Sequence, residues 1–128
     1  MINFFDDPAE VPNARADVRL LQLGFYVYED RRRVMVGFEI TPFLERPSLE
    51  INIHNENGER AASLIIVDTQ TPNFSMTMHL RDTAPTDTYT VDAVLYYAMP
   101  DEERELVQMA TAVLDMRTPG EQLVKIDS

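Results

Sequence analysis

Hydrophobic and polar residues alternate along much of this chain, in short runs that are separated by turn-forming residues. Between residues 33 and 41, for example, Val34, Val36 and Phe38 alternate with side chains of the opposite phase. A period of two places alternate side chains on opposite faces of a β-strand, one face buried and the other solvated. These runs predict seven strands, near residues 18–28, 33–41, 48–55, 60–67, 74–80, 88–98 and 105–116. Short strands at regular spacing are typical of an all-β sandwich or barrel.

The first two predicted strands form a hairpin whose register follows from its turn. Residues 29–32 are polar, and centring the turn between Asp30 and Arg31 pairs only apolar residues on the inner face. These pairs are Leu21 with Ile40, Leu23 with Phe38, Phe25 with Val36, and Val27 with Val34. The same register places Gly24 opposite Gly37 on the other face. A shift of one residue would expose the whole apolar set, so this register is strongly specified.

A second hairpin is predicted at Asn57-Gly58, which is the strongest short signal for a type I′ turn. This turn pairs residues of the third and fourth strands on their inner faces. The predicted pairs are Ile53 with Ala62, Ile51 with Leu64, and Leu49 with Ile66. From the complete pattern we expect a core that contains Phe38, Ile51, Met76, Val91 and Leu95.

Residues 105–116 allow two interpretations. Leu106, Ala110, Val113 and Leu114 fit one stripe of a helix, and Asp101 could cap its beginning. The same residues also alternate, as expected of a strand. We favour the strand, because the rest of the chain is β and the strand near residues 88–98 needs a neighbour.

The number and spacing of the predicted strands resemble the immunoglobulin-like or fibronectin-type-III-like β-sandwich. The best local likeness is the run from Pro85 to Val91, which is similar to the segment that opens the sixth strand in that superfamily. The resemblance implies that Tyr89 forms a "tyrosine corner", although the Cys–Trp–Cys signature of antibody domains is absent. We therefore expect a seven-stranded antiparallel sandwich at 17–117, an extended lead-in at 1–16 and an extended C-terminal tail at 118–128.

Composition excludes several classes of function. Asp and Glu number 22 against 11 Lys and Arg, so the formal net charge is −11. This charge disfavours binding to nucleic acid and to anionic membranes. There is no Cys, and we identify neither a secretory signal nor a transmembrane segment, which indicates a cytoplasmic protein. Four scattered glycines do not form a phosphate-binding loop, and no serine lies in a nucleophile elbow.

Candidate ligand-binding residues are few. His54 and His79 are the only histidines, and both fall on the polar phase of their strands, so we interpret them as surface residues. Asp82, Asp87 and Asp92 cluster in sequence without the spacing of a calcium loop, and we interpret them as turn and surface residues. We therefore predict no catalytic, cofactor-binding or metal-binding residues, no cofactor, and a protein that is not an enzyme.

One strand face is more apolar than a solvent face should be. In the first hairpin, the side that is predicted to point away from the core carries Leu20, Gly24, Tyr26, Tyr28, Arg33, Met35 and Gly37. Tyr, Met and Arg are enriched at protein interfaces, and the paired glycines leave a dent among them. A terminal segment could instead cover this face, through Ile2, Phe4 and Phe5 or through Leu123, Val124 and Ile126.

These observations predict a non-catalytic module for protein–protein interaction, assembly or self-association. The alternative is a sandwich that recognises carbohydrate or Ca²⁺ through its loops. Aromatic side chains would have to line a carbohydrate groove, and Tyr26, Tyr28, Tyr96 and Tyr97 are the candidates. Whether the protein takes a small-molecule ligand stays open at this point.

Overall fold

A computed structural model describes residues 12–126, which form a β-sandwich of two antiparallel four-stranded sheets. The eight strands are β1 Leu20–Val27, β2 Arg33–Ile40, β3 Ser48–Asn55, β4 Arg60–Ile66, β5 Asn73–His79, β6 Thr88–Tyr97, β7 Glu105–Asp115 and β8 Gly120–Lys125. A short 3-10 helix, Arg15–Asp17, precedes β1. Within residues 12–126 there is no helix with the length and apolar character needed to cross a membrane. Of the predicted lead-in, residues 1–11 lie outside the described residues.

The strand order of the first sheet is β5-β2-β1-β8, and that of the second sheet is β4-β3-β6-β7. The all-β fold is thereby confirmed, but the prediction of seven strands is wrong. The additional strand, β8, lies in the segment that was expected to be an extended tail, where it pairs with β1 from Gln22↔Lys125 to Val27↔Gly120. Residues 105–116 adopt the favoured alternative, because β7 pairs with β6 along its length.

The predicted register of the first hairpin is confirmed from Leu23↔Phe38 to Val27↔Val34, and Gly24 lies opposite Gly37. Beyond this stretch a β-bulge shifts the pairing between Leu20 and Gln22. As a result Leu20, not Leu21, lies opposite Ile40, and its side chain is buried. Both the pairing of Leu21 with Ile40 and the expected exposure of Leu20 are therefore wrong. The extra residue of a bulge reverses the phase of the strand on one side of it.

The second hairpin has the predicted pairs Ile53↔Ala62, Ile51↔Leu64 and Leu49↔Ile66. Its turn is not type I′, however, because Gly58 has a positive φ of 81° whereas Asn57 does not. The side chain of Asn55 explains the difference. Its Oδ1 accepts hydrogen bonds from the backbone N–H groups of Asn57 and Glu59, both at 3.0 Å, which stabilises another turn geometry.

The core lies between the two sheets and contains the expected Phe38, Ile51, Val91 and Leu95, each at most 1% exposed. Met76 is an exception, because it is 40% exposed although its phase on the strand points inward. It lies on β5, an edge strand of the first sheet, where no neighbouring strand covers it. Alternation predicts which face a side chain occupies, but it does not predict how near the sheet edge that side chain lies.

The two sides of the sandwich are closed differently. On the side of β7 and β8, two glutamine side chains cross from one sheet to the other. Gln108 accepts a hydrogen bond from the Leu20 N–H at 2.7 Å and donates one to the Leu20 carbonyl at 3.4 Å. Gln122 bonds both backbone groups of Asp115 in the same way, at 3.0 and 2.6 Å. On the side of β4 and β5, one backbone hydrogen bond, from the Arg81 N–H to the Ala61 carbonyl, joins the sheets, and a cleft lies between the two edge strands.

Candidate functional site

The predicted interaction face is the outer face of the first sheet, where two cross-strand pairs place its residues side by side. Gly24 lies opposite Gly37, and Tyr26 lies opposite Met35. Sheet pairing adds neighbours that the first hairpin alone could not predict, since Leu123 of β8 adjoins Gly24 and Thr77 of β5 adjoins Met35. All the predicted face residues except Leu20 are therefore brought to one surface.

Aromatic and apolar groups dominate the centre of this face. Tyr26 and Tyr28 pack edge to face, with their ring centroids 5.3 Å apart. Both rings and the Met35 side chain are half-buried, and Leu123 is 51% exposed. The two glycines are buried between these side chains. Such a face exposes apolar surface to water, and the binding of a partner could bury that surface.

Arg33 stands at one end of the face, where its charge is partly neutralised. Its guanidinium carbon lies 4.6 Å from the centre of the Tyr28 ring, and its Nε lies 2.7 Å from Asp30 Oδ2. Hydrogen bonds from the Arg32 backbone and the Arg33 side chain hold the pKa of the Asp30 carboxyl below its ordinary value. Arg33 therefore contributes a planar cationic surface that rests on an aromatic ring.

Up to residue 126, the C-terminal segment does not cover this face. Leu123 points outward beside Gly24, whereas Val124 and Ile126 pack against the core. β8 therefore extends the first sheet sideways and widens the face. The other predicted cover, Ile2, Phe4 and Phe5, lies outside the described residues and stays a prediction.

A buried polar cluster at the end of the sandwich contains one of the three aspartates that were considered for calcium. The Asp82 side chain is fully buried, and its Oδ2 accepts hydrogen bonds from Tyr89 at 2.8 Å and Asn55 at 3.0 Å. Arg32 Nη2 lies 3.1 Å from Oδ1 while it donates to the carbonyls of Leu80 and Asp82. The interpretation of Asp82 as a surface residue is therefore wrong. The sequence places the partner of Asp82 close by, since Tyr89 lies only seven residues after it.

Electrostatics in this cluster favour the ionised carboxylate. Burial raises the pKa of Asp82, but hydrogen bonds from Asn55 and Tyr89 and the adjacent Arg32 guanidinium outweigh it, so the net pKa lies below the ordinary value. Burial and the neighbouring carboxylate raise the pKa of the Tyr89 hydroxyl. Two donors bind Oδ2, while Oδ1 is buried beside the Arg32 guanidinium and accepts no hydrogen bond from any described residue. The cluster thereby links the chain reversal between β5 and β6 to β3 and to the first hairpin.

The remaining ligand candidates are dispersed. Asp92 lies on β6, where Thr111 donates a hydrogen bond to it at 3.0 Å and His54 Nδ1 lies 4.0 Å away. His79 is on β5, in the other sheet. Among residues 12–126, no three His, Asp or Glu side chains are grouped to hold a metal ion.

Two of the four tyrosines considered for carbohydrate are buried. Tyr96 is 3% exposed and Tyr97 is 4% exposed, and the Tyr97 hydroxyl donates a hydrogen bond to the Glu45 carbonyl at 2.9 Å. Their rings are therefore not available to stack against a sugar. Tyr26 and Tyr28 keep exposed area, but they belong to the apolar face described above.

A cleft between edge strands β4 and β5 is a second concave site, and the alternation of hydrophobic and polar residues did not predict it. Its volume is about 430 Å³, and its lining includes Ala62, Leu64, Met76, Arg60 and Arg81. Strand alternation cannot reveal such a site, because it depends on which strands end at the sheet edges. Met76, whose side chain has the inward phase but is 40% exposed, lines this cleft.

Comparison with known proteins adds no functional assignment to this geometry. No protein-family model matches the chain, and no curated protein matches it significantly.

Proposed function

We propose that this protein is a non-catalytic module for protein–protein interaction or assembly, built on an immunoglobulin-like sandwich of the fibronectin-type-III kind. The strand order supports the fold assignment. If β1 to β7 are lettered A, B, C, C′, E, F and G, the first sheet contains A, B and E, and the second contains C′, C, F and G. β8 is an addition beside strand A.

Tyr89 gives further support for this assignment. It lies at the beginning of β6, the strand lettered F, and its hydroxyl accepts a hydrogen bond from the Thr86 N–H at 3.4 Å. An upstream backbone contact of this kind is what a tyrosine corner requires. Its stronger bond, to the Asp82 carboxylate, is specific to this chain.

The observation that carries the interaction proposal is the pair Tyr26–Met35, half-exposed beside the Gly24–Gly37 pair and Leu123. Large flat side chains around a depression in a sheet can receive a side chain of a partner. Aromatic residues and Met in such a setting are enriched in the centres of interfaces. We therefore place the binding surface on the outer face of the first sheet.

The test is a double variant, Tyr26→Glu with Met35→Glu, which places two charges at the centre of this face. A matched control is Thr90→Glu with Val113→Glu, since these exposed residues form a cross-strand pair on the outer face of the second sheet. Sedimentation velocity measures self-association, and affinity capture followed by mass spectrometry measures partner binding. We expect the first variant to lose association and the control to keep it, with both folded by circular dichroism.

Equal association of wild type and the Tyr26/Met35 variant in both assays would overturn the proposal. Loss of association in the control alone would move the interface to the second sheet, which also contradicts it. A third protein that lacks residues 1–11 tests whether the N-terminal segment competes for this face. If that segment is a cover, its removal strengthens association through Tyr26 and Met35.

A further inference from the structure

The cleft between β4 and β5 has two free strand edges. Among the described residues, β4 pairs with β3 alone and β5 pairs with β2 alone, so each strand has one side without a sheet partner. One backbone bond, from the Arg81 N–H to the Ala61 carbonyl, joins the two sides at one end of the cleft. An edge strand offers a row of N–H and C=O groups to an additional extended segment. Such an addition is a common mode of peptide recognition, in which main-chain bonds supply affinity and pockets for alternate side chains supply specificity.

The floor of the cleft is apolar and follows the period of a strand. Ala62 and Leu64 line it from β4, and Met76 and Met78 line it from β5. Their alternate spacing matches the spacing of side chains on an extended peptide. Met76 is 40% exposed, and Leu64 and Ala62 are half-buried, so this floor has apolar surface left to bury.

One end of the cleft is basic. Arg60, His79 and Arg81 line it, and no Asp or Glu does. The guanidinium groups of Arg60 and Arg81 form no ion pair with any residue between 12 and 126. This absence is notable in a protein with a formal net charge of −11, where acidic side chains outnumber basic ones two to one.

The nearest acidic side chains in sequence are already occupied. Glu59 accepts hydrogen bonds from the backbone and side chain of Thr83, at 2.8 and 3.0 Å. Asp82 is fully buried and belongs to the cluster with Arg32 and Tyr89. A hydrogen bond from Arg104 at 2.7 Å lowers the pKa of Glu50, which the charge of Arg60 helps to lower further. Neither Arg60 nor Arg81 therefore has a carboxylate of the described residues at ion-pair distance, and both can attract an anionic group from outside the chain.

We propose that this cleft binds an extended peptide segment of a partner protein, one with alternating apolar side chains and a carboxylate at one end. The segment adds as a strand to the free edge of β4 or β5. Its apolar side chains bury Leu64 and Met76, and its carboxylate binds Arg60 and Arg81. This site is separate from the Tyr26–Met35 face and does not depend on it.

The experiment uses capped, fluorescein-labelled decapeptides in which valine and threonine alternate, with two aspartates at the amino end or at the carboxyl end. The matched peptides carry lysines in place of the aspartates. A third set has methylated backbone nitrogens at alternate positions, which removes the strand hydrogen bonds. Fluorescence anisotropy with the full-length protein measures binding. We expect one aspartate peptide to bind, and its lysine and methylated counterparts to bind at least about tenfold more weakly.

Protein variants then locate the site. Arg60→Glu with Arg81→Glu should weaken binding by at least about tenfold. Arg31→Glu with Arg46→Glu makes the same change of charge at exposed arginines outside the cleft, and should leave binding within about twofold. Met76→Glu tests the apolar floor and should also abolish binding. Circular dichroism verifies that each variant is folded.

The proposal is overturned if no aspartate peptide binds below about 1 mM. It is also overturned if the lysine peptides bind equally, or if both arginine variants lose binding to the same degree. The Tyr26→Glu/Met35→Glu protein should bind the peptide as wild type does. Its loss of association with its partner together with intact peptide binding would separate the two surfaces.

Discussion

The two sides of the sandwich differ in the contacts that link one sheet to the other. Each side has one edge strand from either sheet, β7 with β8 on one and β4 with β5 on the other. On the first side, the amides of Gln108 and Gln122 bond backbone groups of the facing sheet. On the second, one backbone bond, from the Arg81 N–H to the Ala61 carbonyl at 2.8 Å, closes only the end of the cleft.

The difference shows that a sandwich of this size can keep a cleft along one of its two sides. Leu114 on β7 is fully buried, whereas Leu64 on β4 is half-buried although it also points inward. Truncation of Leu114 should therefore cost more stability than truncation of Leu64. The β4–β5 side keeps apolar surface that a ligand could cover.

The largest expected effect compares these two leucines. Leu114→Ala should lower the free energy of unfolding by roughly 3 kcal/mol, because it leaves a cavity in a closed core. Leu64→Ala should lower it by less than roughly 1.5 kcal/mol, since its side chain is already partly in water. Denaturant unfolding of both variants measures the difference. Equal losses would contradict the contrast between the two sides.

The main features of the fold could be predicted from sequence where apolar alternation was unbroken. The registers Leu23↔Phe38 and Ile51↔Leu64 were predicted correctly because a shift would expose every inner side chain. The pairing of Leu20 was not, since a bulge inserts one residue without any change of pattern. β8 escaped notice because Gly120–Lys125 is short and its two apolar residues, Leu123 and Val124, are adjacent, so hydrophobic and polar residues do not alternate along it.

A second prediction concerns the cluster that closes the end of the sandwich near the cleft. Tyr89→Phe removes a hydrogen bond to the buried Asp82 carboxylate and should destabilise the fold by roughly 1.5–3 kcal/mol at neutral pH. Tyr97→Phe is the matched control. Its hydroxyl donates to a neutral backbone carbonyl, so the expected loss is about 1 kcal/mol.

The two variants should differ further in their dependence on pH. The pKa of Asp82 is lower in the folded protein than its ordinary value of 3.8, so ionised Asp82 stabilises the fold above that value. This stabilisation is lost as the pH falls from about 4 through the folded pKa. The effect of Tyr89→Phe should therefore shrink in acid, whereas that of Tyr97→Phe stays constant. Urea titrations from neutral pH to pH 3 measure both, and parallel profiles would contradict the role of Asp82.

The smallest expected effect concerns the hydrogen bonds by which Gln108 links the two sheets. Gln108→Leu leaves the Leu20 N–H and carbonyl without their side-chain partner and should destabilise the fold by roughly 1–2 kcal/mol. Gln70→Leu, in an exposed loop, should change stability by less than about 0.5 kcal/mol. Hydrogen exchange gives a local readout, since the Leu20 amide should exchange faster only in the first variant. Unchanged protection of Leu20 would show that Gln108 does not hold this side closed.

The candidate sites were predictable only in part, for a physical reason. Gly24, Tyr26 and Met35 share a face because strand geometry places them there, and sequence is sufficient for that conclusion. To predict the cleft and its basic end, one must know which strands stack across the core. Arg60 and Arg81 are 21 positions apart in sequence, and only the stacking of the two sheets brings them to one cleft.

The bulge in β1 divides the strand into two parts that are held in place by different contacts. Phe25 and its neighbours are held in register by β2 and β8, whereas Leu20 is held beyond the bulge by the amide of Gln108. The bulged residue, Leu21, has its own contact, since its carbonyl accepts a hydrogen bond from the Ile126 N–H at 2.8 Å just beyond the end of β8. A shortened chain that lacks Leu21 would straighten β1 but lose this bond to a residue that packs against the core, so the bulge is a functional part of how the C-terminal strand is attached.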